Sequence, residues 1–332
     1  MADGMDRRGF AKRVVAASAA GVVGLSLEER ALLAAGADSP PSPVASGAKM
    51  PTGRIGSATI SRLICGGNLL NGFAHARDLI YVSELIRQYF TDEKIMDTWQ
   101  RCEEQGVNAM ISTVDCPYAG GNDPTLRVLN RYRKERGGRI QWLAQCEPST
   151  TDLTGDAARA IDNGAVAAIL QGERGDRWVR ENRLDLIEKF ITYVKQRHVP
   201  VGVACHSIDV PIALEAAGLG VDLYMKTLHH ENYWSNMPNE PRREVIENGR
   251  DNYWSLDPAT TIEVMADIQK PWIAFKVLAA GAIPPASGFD YAFKGGADFI
   301  CVGMFDWQVG EDAQVARAMI DKHRRRGRAW CA

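Results

Sequence analysis

A single-domain (β/α)₈ barrel is the fold class the sequence predicts, and three observations predict it. Past residue 50, short apolar runs alternate with longer amphipathic stretches, the pattern of βα units around a parallel sheet. Several helix-to-strand joints carry glycine, as in Glu104-Gln105-Gly106-Val107, Asn163-Gly164-Ala165, Ala217-Gly218-Leu219-Gly220 and Gly295-Gly296-Ala297, where the chain must leave a helix through a left-handed conformation. The runs number eight, and a chain of 332 residues with 45% hydrophobic and 24% charged side chains has room for one barrel of about 250 residues. A doubly wound open sheet is the alternative, and the chain lacks the glycine fingerprint for dinucleotide phosphates that such a sheet would carry.

The predicted strands are Arg62 to Cys65, Ala109 to Thr113, Gln141 to Cys146, Ala167 to Leu170, Val201 to Cys205, Leu223 to Met225, Trp272 to Val277 and Phe299 to Val302. Helical patterns lie between them at Asp92 to Gln105, Leu184 to Gln196, Pro211 to Ala217, Thr260 to Asp267 and Gly288 to Lys294. Two longer connections, Leu69 to Phe90 and His229 to Leu256, read as insertions on the active face. Nothing between residues 51 and 332 suggests a domain boundary.

Residues 1–37 are a different kind of sequence. Asp6-Arg7-Arg8-Gly9-Phe10-Ala11-Lys12 precedes a mild apolar run from Val14 to Leu27 and small residues ending at Ala37, the pattern of a cleaved twin-arginine signal. The run is too short and too rich in Ala and Gly for a membrane span. A Ser/Pro stretch at 38–50 then reads as a linker. The expected location is periplasmic or extracellular, with no membrane contact after cleavage.

A formal charge of −2 gives no general attraction to nucleic acid, so a small molecule is the expected partner. Oligomeric state is not legible. Seven cysteines without framework spacing argue against a disulfide scaffold, and Cys65, Cys146, Cys205 and Cys301 read as buried filler. The basic run Lys322 to Arg326 reads as a solvated last turn.

In a barrel, catalytic side chains come from the carboxyl ends of several strands. Those ends supply Asn68, Asp115, Glu147, Gln171 with Glu173, His206, Lys226 with His229 and His230, Lys276, and Asp306. Two chemistries fit. Glu147, His206, His229 and Glu173 would hold a divalent metal such as Mn or Zn, which polarises a carbonyl or diol. Lys226 or Lys276, desolvated inside the barrel, would act as base or Schiff-base nucleophile, with Asp115 as a further acid/base group. The aromatics Tyr233, Trp234 and Trp254, with Trp178 and Trp307 after other strands and the amides Asn68 and Gln171, suit a sugar-like ligand. The bulky Met304-Phe305-Asp306-Trp307 segment is no cradle for a phosphate.

From Gly53 to about Leu129 the chain resembles the aldo-keto reductase superfamily. Ile60-Ser61-Arg62-Leu63-Ile64-Cys65-Gly66-Gly67-Asn68 is similar to its first-strand segment, and Phe90-Thr91-Asp92 into Ala109-Met110-Ile111-Ser112-Thr113 to its first helix and second strand. The resemblance implies a barrel and, where its tetrad is retained, NADP(H)-dependent carbonyl reduction. Here Tyr118 stands for the tyrosine, but Ser112 occupies the aspartate position, Gln145 or Cys146 the lysine position and Gln171 the histidine position. Arg317 and Arg324 are the available stand-ins for the family's 2′-phosphate site.

The expectation is therefore an exported barrel enzyme that moves a proton on a sugar or other polyhydroxy carbonyl compound, as isomerase, epimerase or lyase, with a divalent metal as the expected cofactor. The alternatives are an NAD(P)H-dependent reductase with a rearranged site around Tyr118, and a non-catalytic sugar-binding barrel.

Overall fold

A computed structural model of the chain describes residues 49–73, 75, 79, 81–114, 125–236 and 255–331. These belong to one compact unit, Val44–Ala332. The proposed signal and most of the linker lie outside the described residues, as do Asp115, Tyr118 and Trp254. No helix among the described residues is long and apolar enough to cross a membrane.

The chain enters through an antiparallel hairpin, β1 (Thr52–Ile55) and β2 (Ala58–Ser61). Gly56 turns it at φ 59°, and a Cβ there would lie 2.3 Å from Pro200 Cγ, so only glycine fits. Eight parallel strands follow: β3 (Leu63–Gly66), β4 (Ala109–Thr113), β5 (Gln141–Cys146), β6 (Ala165–Leu170), β7 (Val201–Cys205), β8 (Leu223–Thr227), β9 (Trp272–Phe275) and β10 (Phe299–Val302). Each pairs with the next, and β10 pairs with β3, so the sheet closes. All eight predicted runs are barrel strands. The hairpin was not legible as strand, because its four-residue arms alternate Thr, Arg and Ser with only two inward isoleucines.

Alternation along each strand divides the core in two. Ile64, Ala109, Ile111, Leu143, Ala167, Ile169, Ala204, Leu223, Met225, Ile273 and Phe299 fill the barrel interior. Ile55 and Ile60 of the hairpin join them, so the hairpin plugs the amino end. The opposite strand faces pack against the helices. These are α1 (Val82–Tyr89), α2 (Asp92–Glu104), α3 (Thr125–Arg136), α4 (Gly155–Asp162), α5 (Gly172–Arg180), α6 (Leu184–Gln196), α7 (Asp209–Ala216), α8 (Pro258–Asp267), α9 (Pro285–Lys294) and α10 (Val309–Lys322). Capping fixes several starts: Thr91 accepts from the Lys94 N–H, Gln171 from Arg174 and Asp257 from Thr260, each satisfying an amide the helix leaves open. The segment read as an insertion after the first strand contains α1, which lays Ile86 on the core.

The carboxyl-terminal basic run is not simply a solvated turn. Asp298 is fully buried and accepts from Arg326 at 3.1 Å and Arg328 at 2.8 Å, and from the backbone N–H groups of Trp272 and Cys331. Trp330 lies between the Arg62 and Arg326 guanidinium groups, 4.0 and 3.5 Å from its ring centroid. The tail thus locks the amino side of β9 and β10. Breaking one side of a buried ion network leaves charges unpaired, at a cost of about 3 to 5 kcal/mol. Asp298→Asn should lower the urea midpoint by an amount in that range at unchanged slope; a loss below about 1 kcal/mol contradicts the reading.

Candidate active site

Asp176 sits in the middle of α5, directly under the end of β7. One of its oxygens accepts from His206 Nδ1 at 2.7 Å, and the carboxylate also takes the backbone N–H groups of His206 and Ser207. Gly172 makes room for this: a Cβ there would lie 2.9 Å from the imidazole Cε1. The hydrogen bond settles the tautomer, since a carboxylate needs the proton on Nδ1. Nε2 keeps its lone pair and has no hydrogen-bond partner among the described residues. His206 is on the face of β7 that carries the interior residue Ala204, and its ring packs edge-on at 5.2 Å against Phe275, at the inner end of β9. The imidazole thus lies at the carboxyl mouth of the barrel, with 8% of the residue exposed. Asp176 escaped the sequence reading because it is the fifth residue of a nine-residue helix. The only available signal was its place one turn after Gln171-Gly172.

Lys276 follows Phe275 at φ 57°, a conformation that costs a residue with a Cβ about 1 to 2 kcal/mol. Ala279 and Ala280 of the same turn are also left-handed. Such strain persists where surrounding contacts over-determine it, and His229 supplies one. Its Nδ1 donates to the Lys276 carbonyl at 3.0 Å, while its Nε2 accepts the Ser255 N–H at 3.1 Å. Tyr233 packs edge-on to the His229 ring at 5.6 Å and against the Ala279–Ile283 cluster. The strand prediction through Val277 is corrected accordingly: β9 ends at Phe275, and the lysine leaves the sheet.

Burial, the Lys276 ammonium and, less strongly, Lys226 push the His206 pKa down to about 4 against the pull of Asp176. The imidazole is therefore neutral near pH 7. Lys226 does not stand in the mouth as predicted. It shares the outer face of β8 with Tyr224, is fully buried, and donates to the Thr227 carbonyl at 3.1 Å and hydroxyl at 2.9 Å. Burial lowers its pKa to about 8, but it has no solvent path for a substrate.

The proposed metal set does not converge. His229 commits both ring nitrogens to backbone groups, and Glu173 accepts from Arg177 at 2.8 Å. Glu147 is half-buried at the end of β5, its backbone N–H bonded to Asp156. Among the described residues no group of three His, Cys, Asp or Glu side chains is spaced to hold a metal ion. Of the proposed substrate contacts, Trp178 is buried in the core, and Gln171 serves as the cap of α5. Asn68 is exposed and bonded to His75 at 3.1 Å, and Trp234 lies 82% exposed on its loop. Trp307 opens onto a separate groove beside α2.

The described residues also fit NADP(H) poorly. Ser112 faces away from the interior and is bonded to Asn71 and Thr125. Cys146 is buried on the outer face, and only Gln145 at the lysine position points inward. Arg317 is spent on Gln105 and Arg324 on Asp321, so neither stands ready for a 2′-phosphate.

The closed ring and the polar group at its mouth define a (β/α)₈ barrel with a candidate site at the carboxyl face, where this fold carries its chemistry. Solved structures agree on the fold. Two Pseudomonas aeruginosa structures, each described as an aldo-keto reductase by assignment, match with TM-scores of 0.52 and 0.53 at 16% identity, covering 81% and 82% of this chain and 95% and 98% of theirs. The phospho-2-dehydro-3-deoxyheptonate aldolase of Thermotoga maritima matches at 0.51 and 12% identity, over 82% of this chain and 74% of its own. At such identities the likeness is one of fold alone. No protein-family model and no curated protein matches the chain.

Two outcomes follow from the electrostatics and the strain. A His206 pKa below its unfolded value of 6.5 means that the unfolded chain binds the proton first, so stability is full above pH 6.5 and falls as pH drops toward 4, by up to about 3 kcal/mol. Between pH 7 and 4.5 the wild type should lose more stability in urea titrations than His206→Gln does; parallel losses contradict the assignment. In a double-mutant cycle, His229→Phe should cost about 1 kcal/mol less on a Lys276→Gly background, because glycine takes the left-handed conformation unaided. Additive costs would show that His229 does not hold this turn.

Proposed function

We propose that the chain is an exported barrel enzyme that moves a proton at the carbon next to a carbonyl in a sugar or similar polyhydroxy compound, as an isomerase, epimerase or lyase. The observation that carries the reading is the grouping of Asp176, His206 and Lys276. Proton transfer needs a base with a free lone pair at a water-poor site, and His206 Nε2 is such a group, with Asp176 fixing its tautomer. Asp176 also stabilises the imidazolium that forms. The Lys276 ammonium, whose charge acts on His206, would supply the countercharge for an enediolate oxygen.

The depressed pKa of His206 suits this cycle. In the free site the lysine cation opposes protonation of the imidazole. When a substrate carbonyl turns into an enediolate, the new anion offsets that cation, and the base strengthens as the proton moves. Such coupling favours the transition state over the ground state. The twin-arginine pattern at Asp6–Lys12 supports export.

Incubating the mature chain in D₂O with a panel of aldoses and ketoses should give deuterium at the carbon beside the carbonyl, read by NMR. His206→Gln and Lys276→Met should each reduce exchange by about 10²-fold or more, with Asp176→Asn close behind. Exchange that is undiminished in His206→Gln sinks the assignment.

A further inference from the structure

The connection from β10 to α10 carries a second chemistry-bearing feature that the proton-transfer site does not use. Trp307 is 64% exposed, yet it is not a loose side chain. One face stacks on Phe305 at 5.5 Å and 17°, and Phe305 stacks on the buried Phe90 at 5.3 Å and 25°. Tyr89 packs edge-on to Phe305 at 5.4 Å, and its hydroxyl donates to the Asp306 carboxylate beside Trp307 at 2.5 Å. Three stacked rings therefore run from the core to the surface and set the indole at a fixed angle.

The indole forms one wall of a groove of about 520 Å³ between α2 and α10, a volume in the range of small-ligand sites. The polar face of α2 forms the other wall, with Asp97, Gln100, Arg101, Glu104 and Gln105. Asp97, Gln100, Arg101 and Glu104 recur every three or four residues, so they share one helix face. The lining charges are largely balanced: Asp97 pairs with Arg136 at 2.7 Å, Asp306 pairs with Lys94 at 3.2 Å, and Arg101 is also directed at Asp306.

We propose that this groove is a binding site for a neutral saccharide, separate from the His206 site. A pyranose has an apolar C–H face that can lie on the indole and a rim of hydroxyls that both donate and accept. The Gln105 amide N–H₂ group and the second carboxylate oxygens of Asp97 and Glu104, beyond those bonded to Arg136 and Gln100, match that rim. With the lining charges largely paired the groove suits an uncharged ligand, and the pre-set indole lowers the ordering cost of binding.

The test follows the Trp307 indole N–H in two-dimensional NMR of the full mature chain, assigned by its loss in Trp307→Phe. The probes are methyl β-glucopyranoside, cellobiose, adenosine and inorganic phosphate, each to about 50 mM, a range that reaches millimolar affinities. A saturable shift of that resonance with the saccharides, retained in His206→Gln, together with saturation transfer from the protein to the saccharide protons that is lost in Trp307→Ala, is the expected result. The exposed position of Trp307 lets the alanine variant fold. No shift with either saccharide, a shift with adenosine or phosphate alone, or saturation transfer to a saccharide that persists in Trp307→Ala overturns the proposal. Because His206→Gln is a control, failure of the proton-transfer reading would leave this result untouched.

Discussion

Closure of the ring between β10 and β3 is the constraint from which the rest follows. Parallel pairing of Ile300 with Leu63, Cys301 with Ile64 and Val302 with Cys65 brings the last strand back to the first. The seam is tight: a Cβ on Gly66 would lie 2.9 Å from the Gly303 nitrogen. With the ring closed no edge remains exposed, the inward side chains fill one shared interior, and all eight carboxyl ends point to one mouth. Residues a hundred positions apart, Asp176 and Lys276, then act on the same imidazole. The two ends of the unit are sealed differently, by the β1–β2 hairpin and the buried Asp298 network on the amino side and by polar connections on the carboxyl side.

At that mouth the protein trades local stability for chemistry. A neutral, buried imidazole beside a cation and three left-handed non-glycine residues in one turn are each unfavourable alone. They are tolerated because the surrounding helices fix them: α5 through the Asp176 carboxylate, and the β8 end through His229. The desolvation that makes the site costly also gives its electrostatic interactions their strength.

The barrel was legible because hydrophobic periodicity depends only on residue type. Every barrel strand was found, though not the entry hairpin, and the boundaries shifted by a residue or two where strand ends met polar residues, as at Lys226 and Lys276. Those two shifts reversed the roles of the lysines: Lys226 is a strand residue facing outward, while Lys276 lies beyond its strand in a strained turn. The site was half legible. His206 and Lys276 stood at strand ends and were named. Asp176 was missed because it belongs to a helix, and no pattern in the sequence reveals which helical carboxylate lies beneath which strand end. His229 was assigned to metal, a role its backbone hydrogen bonds exclude without a rearrangement; residue type alone could not distinguish a ligand from a positioning group.

The central claim is that His206 offers a free, neutral Nε2 at the mouth of the barrel, held there by Asp176. Nitrogen NMR of the imidazole in the full mature chain at pH 7 tests it most directly. A protonated Nδ1 and an unprotonated Nε2, with that tautomer lost in Asp176→Asn, is the predicted result. A proton on Nε2 or a doubly protonated ring at pH 7 would contradict the account.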